Sequence, residues 1–138
     1  MLSDKLESLS HSGRTLQDHL NGTAEILRRW LCSEDVVNVG LYHSVYGTSI
    51  YKSVATTDRS QIVSLIGERA ESLVFTFCNT NNIRMLHFIK NKNKELILVE
   101  CANFIEQKSK NFYLLQLAID YVPKYVGEDI KSYIAGAH

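Results

Sequence analysis

The chain has 138 residues, of which 45% are hydrophobic and 22% charged, a size and composition typical of one soluble globular domain. Its 15 basic and 15 acidic side chains give a formal net charge of zero, so no broad basic field is present to bind nucleic acid. The first residues lack the apolar core of a signal peptide, and no run reaches the roughly 18 apolar residues of a membrane span. We therefore expect a cytoplasmic protein without nucleic-acid or membrane partners.

Helical periodicity predicts an all-α, single-domain helical bundle over residues 1–138, with residues 1–11 as a loose N-terminal arm. Thr15, Ser33 and Asp58 each precede a helical segment and are predicted N-caps. Gly67 predicts a helix break, and no alternating segment bounded by hairpin turns indicates a sheet. The predicted helices cover about 16–31, 36–45, 61–66, 68–77, 83–89, 95–107, 111–121 (ended by Pro123) and 128–134.

Two histidines, His19 and His43, lie 24 residues apart, each in a segment with helical periodicity. Two imidazoles on neighbouring helices indicate a metal site or acid–base chemistry, since imidazole titrates near neutral pH. The alternative is that each is a hydrogen-bonded structural residue. The side chains flanking His43 either orient it, contact a ligand or pack in the core; they are Tyr42, Tyr46 and Thr48.

A late segment combines polar and apolar side chains in one predicted helix. Its polar residues are Glu100, Asn103, Glu106 and Gln107. Because most of the remaining side chains there are apolar, we expect a buried polar cluster whose partners are the histidines or Arg69. A solvent-exposed polar face is the alternative. Aromatic residues in the last helices either cover the core or leave a surface for a homodimer.

Three phrases resemble a degenerate HD domain: Thr15-Leu-Gln-Asp-His19-Leu, Gly40-Leu-Tyr-His43-Ser44 and Ala102-Asn103. The resemblance matches His19 and His43 to the two histidines of the superfamily, Ser44 to its paired aspartate and Asn103 to its late aspartate. The segment 65–77 is similar to the alarmone hydrolases of that superfamily. The whole stretch 11–107 is similar to an uncharacterised family of small HD-like proteins, which implies a fold but no reaction.

The resemblance implies an altered metal site. Ser44 and Asn103 replace two carboxylates that hold divalent cations, so a two-metal phosphohydrolase site is not expected. Two imidazoles suit zinc, iron or nickel, and we expect at most one divalent transition metal, or none. A third ligand is needed for a catalytic site of that kind. The candidates are His11, Glu68, Glu71, Glu100 and Glu106.

Two functional hypotheses follow. In the first, the protein is a small hydrolase or lyase for a small, potentially phosphorylated, metabolite, in which His19 and His43 bind a metal or exchange protons and Glu68 or Glu71 accepts a proton. In the second, it is a non-catalytic small-molecule-binding or accessory protein that has lost the metal cluster. Its ligand would then be held by hydrogen bonds from residues of the same pocket, namely His19, His43, Asn103 and Glu106.

Overall fold

The computed structural model describes the backbone of residues 10–11, 14–47 and 58–136, and side chains within 15–47 and 58–136. Over these ranges the chain forms eight α-helices, which confirms the all-α prediction. None of these helices is both long and apolar enough to cross a membrane. The helices are α1 (Leu16–Arg29), α2 (Glu34–Tyr42), α3 (Arg59–Ile66), α4 (Glu68–Asn79), α5 (Arg84–Lys90), α6 (Lys94–Glu106), α7 (Phe112–Ala118) and α8 (Lys124–Gly136), with a 3-10 turn at Ile119–Tyr121.

Strand structure within the described ranges is limited to one short pair before α1. The strand β1 (Ser10–His11) pairs antiparallel with β2 (Arg14–Thr15). Two residues per strand are too few to produce an alternating pattern in the sequence, and this pair leaves the predicted all-α class unchanged.

The helix boundaries follow local backbone chemistry. Thr15, Ser33 and Asp58 cap α1, α2 and α3 as predicted, each accepting a hydrogen bond of 3.1 to 3.3 Å from the backbone N–H three residues later. Gly67 separates α3 from α4 with φ of 89°, a conformation that glycine adopts without strain. The last helix begins at Lys124, earlier than predicted, because Pro123 directly before it presets a helical φ rather than only ending the preceding helix.

A close approach of α1 and α2 brings the two histidines together. A Cβ atom at Gly40 would lie 2.7 Å from Leu27 Cδ1 and 3.3 Å from Ala24 Cα, so a larger residue there would require Leu27 and the α1 backbone to shift. Helix α6 packs against both, and its Ile97 is fully buried. The interior of the bundle between α1, α2 and α6 therefore contains both the apolar core and the polar residues described below.

The C-terminal helix is fixed to α1 through polar contacts at Trp30. The indole Nε1 of Trp30 donates a 2.6 Å hydrogen bond to Asp129 Oδ2. The hydroxyl of Tyr125 donates a 2.6 Å hydrogen bond to the carbonyl oxygen of Trp30. These contacts join the first and last described helices into the same domain.

Candidate functional site

The two histidines predicted to share a pocket are in direct contact in the interior. His19 lies in α1 and His43 directly follows α2, and their side chains are 2% and 1% exposed. The Nε2 atoms are 3.2 Å apart and the ring planes cross at 79°. The spacing of the two histidines within phrases that resemble an HD domain predicted a shared pocket, and the structure places the two side chains in contact.

His43 is oriented through its other ring nitrogen. Its Nδ1 donates a 2.8 Å hydrogen bond to the carbonyl oxygen of Gly40, and the edge of its ring meets Phe77 at 5.2 Å between centroids. Burial, followed by the nearby His19, lowers the pKa of His43 to about 3. His43 is therefore neutral at physiological pH, with its Nε2 lone pair directed at His19.

His19 is oriented in the same way by a carboxylate. Its Nδ1 lies 2.5 Å from Glu106 Oε1, and the Glu106 side chain is only 10% exposed. An ionised carboxylate can only accept, so the Nδ1 atom carries the hydrogen and the Nε2 atom faces His43. In this tautomer the Nε2 lone pair of His19 is directed at His43 Nε2, 3.2 Å away.

A third oxygen adjoins the pair. Asn103 in α6 is 3% exposed, and its Oδ1 has no hydrogen-bond partner among the residues that the structure describes. The side chain is close enough to His43 to raise the pKa of that imidazole, against the larger effect of burial. Asn103 Nδ2 donates a 2.9 Å hydrogen bond to Glu100 Oε1, which orients the amide.

The carboxylate of Glu100 is neutralised by a buried arginine. Arg84 Nε and Nη2 donate to the two oxygens of Glu100 at 3.0 and 3.3 Å, and both side chains are at most 5% exposed. The Arg84 guanidinium also lies over the Phe77 ring at 4.5 Å from its centroid. Glu100 thus serves as the partner of Arg84 and Asn103 and contributes no free carboxylate to the histidine pair.

The chemistry of the donor set fits one transition-metal ion and not two. Two nitrogens at about 2.05 Å from one tetrahedral zinc are about 3.3 Å apart, close to the separation of the two imidazoles. The buried Oδ1 of Asn103 is a neutral oxygen without a hydrogen-bond partner among the described residues. Over the described ranges, however, no group of three or more His, Cys, Asp or Glu side chains is placed to hold a metal ion. A carboxylate-rich two-metal cluster is accordingly not formed there.

Glu71, a predicted proton acceptor, is placed elsewhere. Arg59 Nε and Nη2 donate to its two oxygens at 2.6 and 2.8 Å, and the Tyr46 hydroxyl donates at 2.8 Å. The hydrogen bonds from Arg59 are the main reason that the pKa of Glu71 is lowered. Tyr46 therefore contacts Glu71 rather than the histidines. Glu68, the other predicted acceptor, is exposed at the start of α4.

The remaining predicted residues divide between the pocket and the surface. Ser44 is buried beside His43, and Tyr42 is half-buried at the end of α2. Gln107 is exposed, contrary to its predicted burial, although its Nε2 lies 3.5 Å from His19 Nε2 at the rim of the pair. The predictions for the side chain of His11 and for Thr48 fall outside the described residues.

The predicted partners of the buried polar cluster were the histidines or Arg69; His19 contacts Glu106 of that cluster, whereas Arg69 does not reach it. Its guanidinium is on the surface, where it pairs with Asp35 at 3.2 Å and with Glu95 at 2.5 Å. Arg84 occupies the predicted role instead. Sequence reasoning missed Arg84 because both arginines lie in helices that precede α6, and only helix packing decides which one reaches Glu100.

Gly22 was also missed as a site residue. A Cβ atom there would lie 2.5 Å from Glu106 Oε2 and 2.8 Å from Glu106 Cγ. The available signal was a glycine inside an otherwise regular amphipathic helix, since interior glycines disfavour helix formation and indicate a packing requirement.

Together these contacts define an all-α protein with a buried histidine pair whose rings are both held through Nδ1. The chain belongs to the DUF6817 family, a domain of unknown function, whose family model matches residues 1–82. That region contains both histidines and helices α1 to α4, whereas Asn103 and Glu106 lie beyond it. No curated protein and no solved structure matches the sequence.

Proposed function

We propose that this protein is a degenerate HD-domain protein whose histidine pair binds one divalent transition-metal ion and acts as a hydrolase or lyase on a small metabolite. The observation that carries the proposal is the 3.2 Å approach of His19 Nε2 and His43 Nε2, with both Nδ1 atoms held by oxygen acceptors. Metal-binding histidines characteristically donate the other ring N–H to a carboxylate or a backbone carbonyl. Glu106 and Gly40 supply one acceptor of each kind.

The burial of the pair supports a bound cation. The Nε2 atoms of His19 and His43 face each other at 3.2 Å in the interior, an arrangement in which both lone pairs can bind one cation. His43 resists protonation, since burial holds its pKa near 3. A transition-metal ion satisfies both nitrogens at once, and zinc, iron and nickel are the metals that imidazole prefers.

Charge limits the site to one ion. Ser44 and Asn103 are neutral where the resemblance places aspartates, and the charge of Glu100 is compensated by Arg84 at 3.0 Å. Glu106 contacts the Nδ1 side of His19, away from the Nε2 side where the ion would bind. His19 and His43 would hold the metal, with Asn103 Oδ1 as the third ligand.

The chain's own residues would divide the remaining tasks. A bound transition-metal ion supplies Lewis acidity toward a carbonyl or phosphoryl oxygen. Glu106 holds the proton of His19 Nδ1, and Gly40 holds that of His43, so both rings keep a fixed tautomer. Gln107, exposed at the rim, is placed to orient the substrate. The closed interior formed by Phe77 and its neighbours excludes bulk water from His43.

Elemental analysis of protein purified without a metal-affinity tag, together with a panel of phosphoesters, tests the proposal. We expect about one transition-metal ion per chain and turnover of at least one phosphoester, with both lost in His43→Ala. His87→Ala is the matched control, because His87 is an exposed helical histidine. An empty site in the wild-type protein and inactivity across the panel would rule the proposal out.

A second candidate function has one observation in its favour. The carboxylates of Glu71 and Glu100 are paired with arginines, and that of Glu106 contacts His19 Nδ1, so none of these three is available for proton abstraction. A non-catalytic protein that binds a small molecule through His19, His43, Asn103 and Glu106 accounts for this. A thermal-shift screen of metabolites on metal-free protein distinguishes it, because a stabilising ligand without turnover would support binding alone.

A further inference from the structure

Gly22 lies inside helix α1, where glycine lowers helix stability and is expected only if a neighbouring side chain needs the space. Glycine inside a helix is destabilising relative to alanine because its backbone loses more conformational entropy on folding. Gly22 lies three residues after His19 and therefore on the same face of the helix. An added Cβ would come within 2.5, 2.8 and 2.9 Å of Glu106 Oε2, Cγ and Cδ. The carboxyl end of Glu106 occupies the volume that a side chain would need.

Glu106 reaches across from α6 to fill that space. It is the last residue of α6, and its side chain is 10% exposed. One oxygen, Oε1, is 2.5 Å from His19 Nδ1, and the other, Oε2, lies over Gly22. The Glu106 carboxylate thus fills the space that the absence of a side chain at Gly22 leaves open. From that position it contacts His19.

We propose that Glu106 is a positioning residue for His19. We further propose that position 22 is glycine because any larger side chain would occupy the space that the Glu106 carboxylate needs to reach His19. The carboxylate holds the hydrogen on Nδ1 and directs Nε2 at His43, which fixes the tautomer and the ring orientation that a metal ligand needs. The effect on metal affinity rests on the proposed function. The effect of Glu106 on His19 does not, because the contact is between two side chains of the protein itself.

Nitrogen-15 NMR of metal-free protein tests the positioning role directly. A short hydrogen bond from imidazole to carboxylate moves the Nδ1–H resonance far downfield. We expect this resonance for His19 in the wild type and in Glu128→Gln, a control at an exposed helical glutamate. Glu106→Gln should move it upfield. Glu106→Asp, which keeps the charge but withdraws it by one methylene, should do the same. An unchanged resonance in both variants would overturn the proposal.

The role of Gly22 is tested by a double-mutant cycle. Gly22→Ala should displace the His19 Nδ1–H resonance, whereas Gly136→Ala, where an added Cβ meets nothing within 4 Å, should not. In a Glu106→Ala background the steric conflict is absent, so Gly22→Ala should not shift the His19 Nδ1–H resonance any further. Equal shifts from Gly22→Ala in the presence and absence of Glu106 would overturn the link between the two residues.

Zinc titration separates this inference from the proposed function. We expect Glu106→Gln to weaken zinc binding by about 10-fold to 100-fold, the usual effect of losing a partner of a metal-binding histidine, and Glu128→Gln to leave it unchanged. Equal zinc affinity in the wild type and Glu106→Gln would overturn the positioning role. A wild type that binds no zinc would refute the proposed function, while a resonance shift in Glu106→Gln would still support the positioning role.

Discussion

His19 Nε2 and His43 Nε2 lie 3.2 Å apart in the interior of the protein, and each imidazole donates its Nδ1–H to an oxygen on the opposite side of its ring. The two acceptors of these hydrogen bonds differ. His43 uses the backbone of its own helix at Gly40, and His19 uses a carboxylate 87 residues away. The geometry of the pair therefore depends on the fold as a whole, and we propose that the two buried nitrogens share one cation.

The neutral state of His43 makes the stability of the metal-free protein depend on pH. The pKa of His43 is lowered from 6.5 to about 3, so the unfolded chain binds more protons than the folded protein between those values. The contribution of His43 to stability is complete above pH 6.5 and falls as the pH decreases toward 3. The free energy of unfolding, measured by urea denaturation from pH 7 to pH 4, should decrease over this range.

The matched comparison uses His43→Gln, which removes the titrating group. In that variant the decrease between pH 6.5 and pH 4 should be shallower than in the wild type, whereas His87→Ala, at an exposed position, should follow the wild-type slope. A His43→Gln profile parallel to that of the wild type would show that His43 does not control the pH dependence.

Removal of Arg84 should destabilise the fold through Glu100. The two side chains are buried and joined at 3.0 Å, so Arg84→Met leaves a carboxylate without its charge partner. Breaking a buried ion pair in this way costs about 3–5 kcal/mol, and Arg84→Met/Glu100→Gln should recover part of that loss. Chemical denaturation gives the values.

The control for Arg84 is the exposed pair between Arg28 and Glu25, which are 48% and 71% exposed. Arg28→Met should change the free energy of unfolding by no more than about 1 kcal/mol. A loss of stability in Arg84→Met as small as that in Arg28→Met would contradict the assignment of Arg84 as the partner of the buried carboxylate.

Asn103→Asp should lower the thermal stability of the metal-free protein and increase the stabilisation that zinc provides. Asn103 Nδ2 donates to Glu100 at 2.9 Å, so an aspartate places two carboxylates in contact and destabilises the metal-free protein. A divalent ion beside His43 offsets that charge. The melting temperature of Asn103→Asp should be below that of the wild type without zinc and should rise more on zinc addition.

For Asn103→Asp, thermal unfolding with and without zinc gives the melting temperature of the metal-free protein and its shift on zinc addition. Equal zinc-induced shifts in the two proteins would show that position 103 does not face the ion. Asn111→Asp, at the exposed N-cap of α7, is a suitable control because it changes charge outside the site.

Much of the fold was predictable because its signals are local. Thr15, Ser33 and Asp58 act as caps through backbone donors three residues away, so neighbouring sequence is sufficient to identify them. The start of α8 was predicted too late. Its first turn is polar, and the helix-initiating role of Pro123 is hard to separate from its helix-ending role.

The site was predictable only in part. The contact of His19 with His43 follows from two helical positions on facing helices, and the sequence indicated it. The pairing of Glu100 with Arg84 instead of Arg69 depends on how α5 crosses α6, which no local pattern reports. The dependence of Gly22 on Glu106 likewise joins residues far apart in the chain. Such partners are determined by tertiary packing.

In the proposed function, His19 and His43 share one metal ion. The most direct measurement is the zinc stoichiometry of chelator-treated protein, by equilibrium dialysis against buffered zinc followed by elemental analysis. We predict one zinc per chain for the wild type and for His87→Ala, and none for His19→Gln or His43→Gln, each confirmed as folded by circular dichroism. No zinc in the wild type, or one zinc retained in both single variants, would contradict the account.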